Sequence, residues 1–139
     1  MGEVIVELQL ENTIDRGMFR RRKLKEKDVR QLTTTAIADS GVVMLMLPQD
    51  MVEELGLETI RKIVVEYADK RTEERSVAGP VTVKIGKREA NVDCIIGPPT
   101  SDVWLGQVPL EVMDWLVDCA RRTFVPRPES PYLPLLKIG

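Results

Sequence analysis

The stretch TAIADSGVVMLMLP, residues 35 to 48, constrains the fold more than any other part of this chain. Two apolar runs of strand-like composition flank Asp39, Ser40 and Gly41. Aspartate is depleted in strands and is seldom fully buried without a partner. An acidic residue at this junction therefore either caps a turn between two core strands or carries chemistry.

Short strand patterns recur along the rest of the sequence. From Glu3 to Leu10, Val4, Val6, Leu8 and Leu10 alternate with Glu3, Glu7 and Gln9, with Ile5 out of step, which predicts a half-buried strand. ENTIDRGM reads as a loop, and Phe19 to Lys25 and Val29 to Ala38 read as further strands. In LPQDMVEELGL the period changes: Pro48 suits a first helical position, Asp50 suits the positive amino end, and Met51, Val52 and Leu55 share a face before Gly56. ETIRKIVVEYA and ERSVAGPVTVKI, separated by the polar DKRTE, predict a long hairpin with a charged tip. A second hairpin turns at Gly86-Lys87. VWLG then leads into a second short helix from about Pro109 to Trp115, and FVPRPESPYLPLL is too rich in proline for a helix, so an extended arm or edge strand is expected. The predicted class is all-β with one or two short helices. One domain covers residues 1–139, with a core over about 3–118 and a proline-rich arm over 119–139.

Composition narrows the function classes. The longest apolar stretch, Val42 to Leu47, is far too short to cross a membrane, and MGEVIVELQL alternates instead of forming a basic-then-apolar signal. A cytoplasmic location and no membrane partner are expected. The net charge of −2 offers no general attraction to nucleic acid, so that partner is not expected either. No histidine is present, which removes Ser-His-Asp and Cys-His arrangements and the commonest zinc ligand. Acid–base work must fall to carboxylates, lysines, tyrosines or a bound cofactor. The glycines of ELGLET and KIGKRE read as a helix stop and a hairpin turn, not as a phosphate loop. Cys94 and Cys119 are too far apart for a CxxC pair and are expected as reduced core residues, with Trp104 and Trp115 as core residues flanking the second helix.

RRRKLKEK, residues 20 to 27, opens a basic run of seven Lys and Arg between Arg20 and Arg30. Such a run could contact RNA or an acidic partner. Glu26 and Asp28 interrupt it, however, and Phe19 is the one aromatic near it, so a solvated loop or edge strand kept soluble by charge is expected.

The order of elements, together with AIADSGVVMLMLPQDMVEELGL, VAGPVTVKIGKREANVDCIIG and VWLGQVPLEVMDWLVD, resembles the retropepsin-like aspartic proteases, most closely their small prokaryotic members. The resemblance implies a closed acid-protease barrel that carries half an active site per chain. It makes Asp39 the catalytic carboxylate, one of two aspartates that share a proton while water attacks a peptide carbonyl. Ser40 would brace the partner chain's loop, Gly41 would leave room beside the carboxylate, and Leu105 and Gly106 would support the loop. Val42 stands where the family usually has Ala, next to the substrate path, and Tyr67, Ala68, Asp69 and Lys70 would contact substrate from a flap. No cofactor or metal is implied. No other aspartate precedes Ser-Gly or Thr-Gly, so the second carboxylate must come from a second chain in a homodimer. The implied substrate is a peptide or an unfolded protein segment. The flap sequence YADKRTEER lacks the glycines of retroviral flaps. A catalytically silent dimeric binding or assembly module therefore stays open as the alternative.

Overall fold

The computed structural model describes residues 4–39, 41–118, 120–136 and 138. In chain order the elements are β1 (Val4–Asn12), α1 (Thr13–Arg20), β2 (Gln31–Ala38), β3 (Leu45–Pro48), α2 (Gln49–Glu54), β4 (Glu58–Glu66), β5 (Thr72–Ile85), β6 (Arg88–Gly97), β7 (Trp104–Leu105), α3 (Gln107–Met113), β8 (Trp115–Asp118) and β9 (Thr123–Pro126). Glu3 and Cys119 lie outside the described residues.

Period-two patterning drives a sheet that closes on itself. β1 runs antiparallel to β2, β2 parallel to β7, β3 parallel to β6, and β6 antiparallel to β5, with a bridge between Met46 and Trp104 joining β3 to β7. β5 then returns to β1, pairing Val81 to Lys84 with Asn12 to Gln9, so six strands form a ring. Inside it Leu8, Leu10, Leu45, Leu47, Val77, Val81, Val83 and Leu105 are completely buried, while Ile5, the residue out of step, is exposed. Each buried leucine contributes about 1.5–3 kcal/mol, so the ring's filling is what holds its strands together. β4 pairs with Thr72 to Gly79 of β5 outside the ring, and most of its side chains meet solvent. The predicted long hairpin is thus present as a flap, and the second hairpin turns at Gly86, whose φ of 59° favours glycine.

Three helices form among the described residues, one more than the most expected. The extra one, α1, replaces the predicted loop at ENTIDRGM and the predicted strand from Phe19. Asn12 caps it by accepting from the Asp15 amide at 3.0 Å, and its side-chain amide donates to the Leu55 carbonyl at 2.8 Å, tying the start of α1 to the end of α2. Two ion pairs anchor the helix in place of an apolar face. Glu11 accepts from Arg16, and Asp15 accepts from the backbone amide, Nε and Nη2 of Arg30. Those hydrogen bonds hold both carboxyls below the usual carboxylate range. The helix ends in a Schellman arrangement, with the Lys23 amide on the Met18 carbonyl and the Arg22 amide on the Phe19 carbonyl, both at 2.9 Å. Arg22 takes the left-handed position (φ 60°) that glycine usually fills, at roughly 1–2 kcal/mol of backbone strain. The chain from Arg21 to Arg30 is turns and a 3-10 segment at Glu26–Asp28.

Smaller differences have local causes. Pro48 is the extended N-cap residue of α2 and the last residue of β3, one position before the predicted place. α3 begins at Gln107 and stops at Met113 because Asp114 adopts a left-handed conformation (φ 60°), so Trp115 starts β8. The proline-rich tail pairs as β9 against β8 and is pinned further along. Asp114 accepts from the Ser130 hydroxyl at 2.5 Å and the Leu135 amide at 2.8 Å and pairs with Arg127, while Arg88 donates to the Asp114 carbonyl and the Ser130 carbonyl, each at 2.6 Å. Trp104 and Trp115 are half-buried, and Trp115 stacks on Phe124 and under the Arg88 guanidinium. Cys94 is a buried free thiol whose pKa burial pushes up to about 12.

Candidate active site

Asp39 follows directly on β2, where the strand leaves the ring. The Ile37 amide donates to the Val103 carbonyl at 2.8 Å, and the Asp39 amide donates to the Leu105 carbonyl at 3.1 Å. The chain then turns: the Val42 amide returns to the Asp39 carbonyl at 3.1 Å, and the Gly41 amide donates to Asp39 Oδ1 at 2.8 Å. That side-chain bond to the residue two ahead is an Asx turn, so Asp39 does cap a turn. Its carboxylate is exposed in the single chain, in contrast to a reading of Asp39 as a buried group among core strands. One carboxylate oxygen is committed to Gly41 while the other has no protein donor among the described residues.

The loop is braced from a segment more than sixty residues further along the chain. The first amides of α3, Gln107 and Val108, donate to the Val42 and Val43 carbonyls at 2.7 and 2.9 Å. Gly106 makes this approach possible, because an added Cβ would stand 2.5 Å from the Met44 carbonyl oxygen and 2.7 Å from the Val43 carbonyl carbon. Gly41 is tight for a different reason: a Cβ there would lie 3.2 Å from Asp39 Oδ1 and press on the carboxylate it orients.

Of the residues singled out from sequence, Asp39, Gly41, Val42, Leu105 and Gly106 come together here. Ser40 lies outside the described residues. Tyr67, Ala68, Asp69 and Lys70 sit at the tip of the β4–β5 hairpin, and among the described residues no hydrogen bond or ion pair joins them to the Asp39 loop. The tip closes on itself: the Tyr67 hydroxyl donates to Glu73 at 2.9 Å, the Arg71 guanidinium lies 4.7 Å from the Tyr67 ring centroid, and the Arg71 amide donates to Asp69 at 3.1 Å. Lys70 adopts φ 69°, which is how a hairpin tip without glycine still turns. Sequence reading missed Val103, Gln107 and Val108 as loop supports. They act through backbone groups, which carry no side-chain signature.

The segment from residue 26 to residue 108, more than half of the chain, matches the model of a protein family described as aspartyl protease. The chain belongs to this family. The part shared with other aspartyl proteases runs through β2, the Asp39 loop, α2, the flap and the second hairpin to Leu105, Gly106 and the first residues of α3. α1 and the β8–β9 pair with its Asp114 anchor stand outside it. No curated protein matches the sequence. In this aspartyl protease domain the described residues contain no group of three or more His, Cys, Asp or Glu side chains arranged to hold a metal ion, and no helix is long and apolar enough to cross a membrane.

Proposed function

We propose that this protein is an aspartic endopeptidase that works as a homodimer, with the Asp39 carboxylates of two chains facing each other at the twofold axis. The observation that carries the reading is the Asp39 loop: an exposed carboxylate oriented by the Gly41 amide, on backbone fixed by Leu105, Gln107 and Val108. One such loop per chain is half of a two-carboxylate site, and closed symmetry supplies the other half. Ser40 would brace the opposite loop.

In the dimer one carboxylate is ionised and the other protonated. The ionised one takes a proton from water as the water oxygen bonds to the peptide carbonyl carbon, and the protonated one gives its proton to the carbonyl oxygen. A tetrahedral diol results. On collapse the C–N bond breaks, the amine nitrogen receives the first proton, and a diol hydroxyl returns a proton to the other carboxylate, so the pair ends with one proton, as it began. The substrate is an extended peptide or unfolded segment laid between loop and flap, against Val42 below and Tyr67, Ala68, Asp69 and Lys70 above. No cofactor enters, and the cytoplasm is the working location. The self-contained flap tip favours the second reading, a silent dimeric binding or assembly module.

Hydrolysis of a denatured protein mixture from acid to neutral pH, with and without a pepstatin-type transition-state mimic, tests the reading beside sedimentation of the same sample. Mimic-sensitive cleavage by a dimer is expected. A dimer without cleavage turns the reading to the silent module, and an active monomer ends the half-site argument.

A further inference from the structure

The net charge of −2 conceals a strong segregation. Residues 16 to 30 hold eight Lys and Arg against Glu26 and Asp28, a local balance of +6, which leaves −8 for the rest of the chain. Arg16 is held by Glu11 and Arg30 by Asp15, while Arg20, Arg21, Arg22, Lys23, Lys25 and Lys27 are exposed and make no ion pair among the described residues. Glu26 does not neutralise them, because its carboxylate faces Arg16 at 3.4 Å. The run is thus a concentrated, unpaired cation cluster on a folded loop.

Two further observations say what it faces. Ile14 and Met18, one turn apart on α1 and directly before the cluster, are 53% and 37% exposed. Residues four apart share a helix face, so these side chains form an apolar step beside the cations, and the Lys23 amide bonded to the Met18 carbonyl folds the basic loop back toward that step. Arg22, moreover, occupies the left-handed helix-end position where glycine would be unstrained. A cation stands there in spite of the backbone it must adopt.

We propose that α1 and the loop from Arg20 to Lys27 form a docking surface for an anionic lipid membrane. Cations beside exposed aliphatic side chains match acidic headgroups over an apolar interior, and surface docking needs no spanning segment. Single-stranded nucleic acid is the poorer match. It rewards aromatic faces, and Phe19 is half-buried with the Arg16 guanidinium 5.3 Å from its ring centroid. Ile14 and Met18 would gain nothing from it.

Co-sedimentation of the full chain with phosphatidylcholine vesicles, with and without phosphatidylserine, tests this. Binding is expected to the phosphatidylserine vesicles alone and to weaken with salt. Each cation removed should cost about fivefold in affinity, so Arg20→Gln, Arg21→Gln and Lys23→Gln together should cost about a hundredfold. Arg22→Gly should weaken binding while leaving the thermal midpoint unchanged or raised, which separates docking from folding. Ile14→Ser with Met18→Ser should weaken binding with every cation in place. Failure to bind acidic vesicles at low salt, binding that these charge or apolar variants leave unchanged, or binding to a single-stranded RNA oligonucleotide in place of vesicles overturns the proposal.

Discussion

Gly106 packs against Met44 so closely that a Cβ would stand 2.5 Å from the Met44 carbonyl oxygen. Its φ of −93° suits any residue, so the constraint is steric and not conformational. Gly106→Ala should therefore push the Val42–Met44 backbone away and loosen the bonds from Gln107 and Val108 that hold it. A loss of about 1–3 kcal/mol is expected, read as a lower urea midpoint. Any peptidase activity should fall further than the loss of folded protein explains, because the same backbone orients Asp39. Unchanged stability and activity would mean the loop is not braced through this contact.

Asp39→Asn separates chemistry from scaffolding. The asparagine oxygen can still accept from the Gly41 amide, so the Asx turn survives. Peptidase activity should drop to background while the fold is kept. At pH 7 the variant should dimerise at least as tightly as the parent, since two amides bring no charge to the twofold axis. Activity and dimer dissociation measured on both proteins check this. Persistent hydrolysis removes Asp39 from the mechanism, and a much weaker dimer means the two side chains do not face each other.

Acid should release the C-terminal segment. The Ser130 hydroxyl, then the Leu135 amide and Arg127, hold the Asp114 carboxyl down at about 2, against an ordinary 3.8. A depressed folded value means a contribution fully present above the unfolded pKa and lost as pH falls from about 4 toward 2. Proteolysis or amide exchange across residues 127–135 should rise in that window. Ser130→Ala, which removes the first of these donors, should move the onset to higher pH. An onset indifferent to Ser130 would remove this anchor from the account.

The flap tip should open more readily than the ring. Tyr67 to Arg71 rest on local bonds within the tip, and β4 has few buried side chains, whereas β2 pairs along its whole length with β1. Amide exchange should be faster at residues 67–71 than at residues 33–37. The reverse order would show the tip anchored by something other than its own contacts.

Sequence alone determined the features whose cause is local. Alternation at Val4, Val6, Leu8 and Leu10 makes a strand whatever it pairs with, Gly86-Lys87 makes a hairpin turn, and Gly56 stops α2 with a φ of 63°. Asp39-Ser40-Gly41 marked the candidate site for the same reason, since turn and carboxylate lie within three residues. α1 was hidden because its anchors are the polar pairs Glu11–Arg16 and Asp15–Arg30 and its apolar residues Ile14 and Met18 face solvent instead of the core, although Asn12 and Asp15 carried a capping signal. The tail read as an extended arm or edge strand with no sign of its anchor because that anchor, Asp114 to Ser130 and Leu135, joins residues 16 and 21 apart. Tertiary structure decided the rest: closure of the ring through β1 and β5, and the seat of the Asp39 loop on Leu105, Gln107 and Val108. Those bonds run between backbone amides and carbonyls, which every residue but proline offers alike, so which of them meet is set by the packed ring and not by side-chain identity.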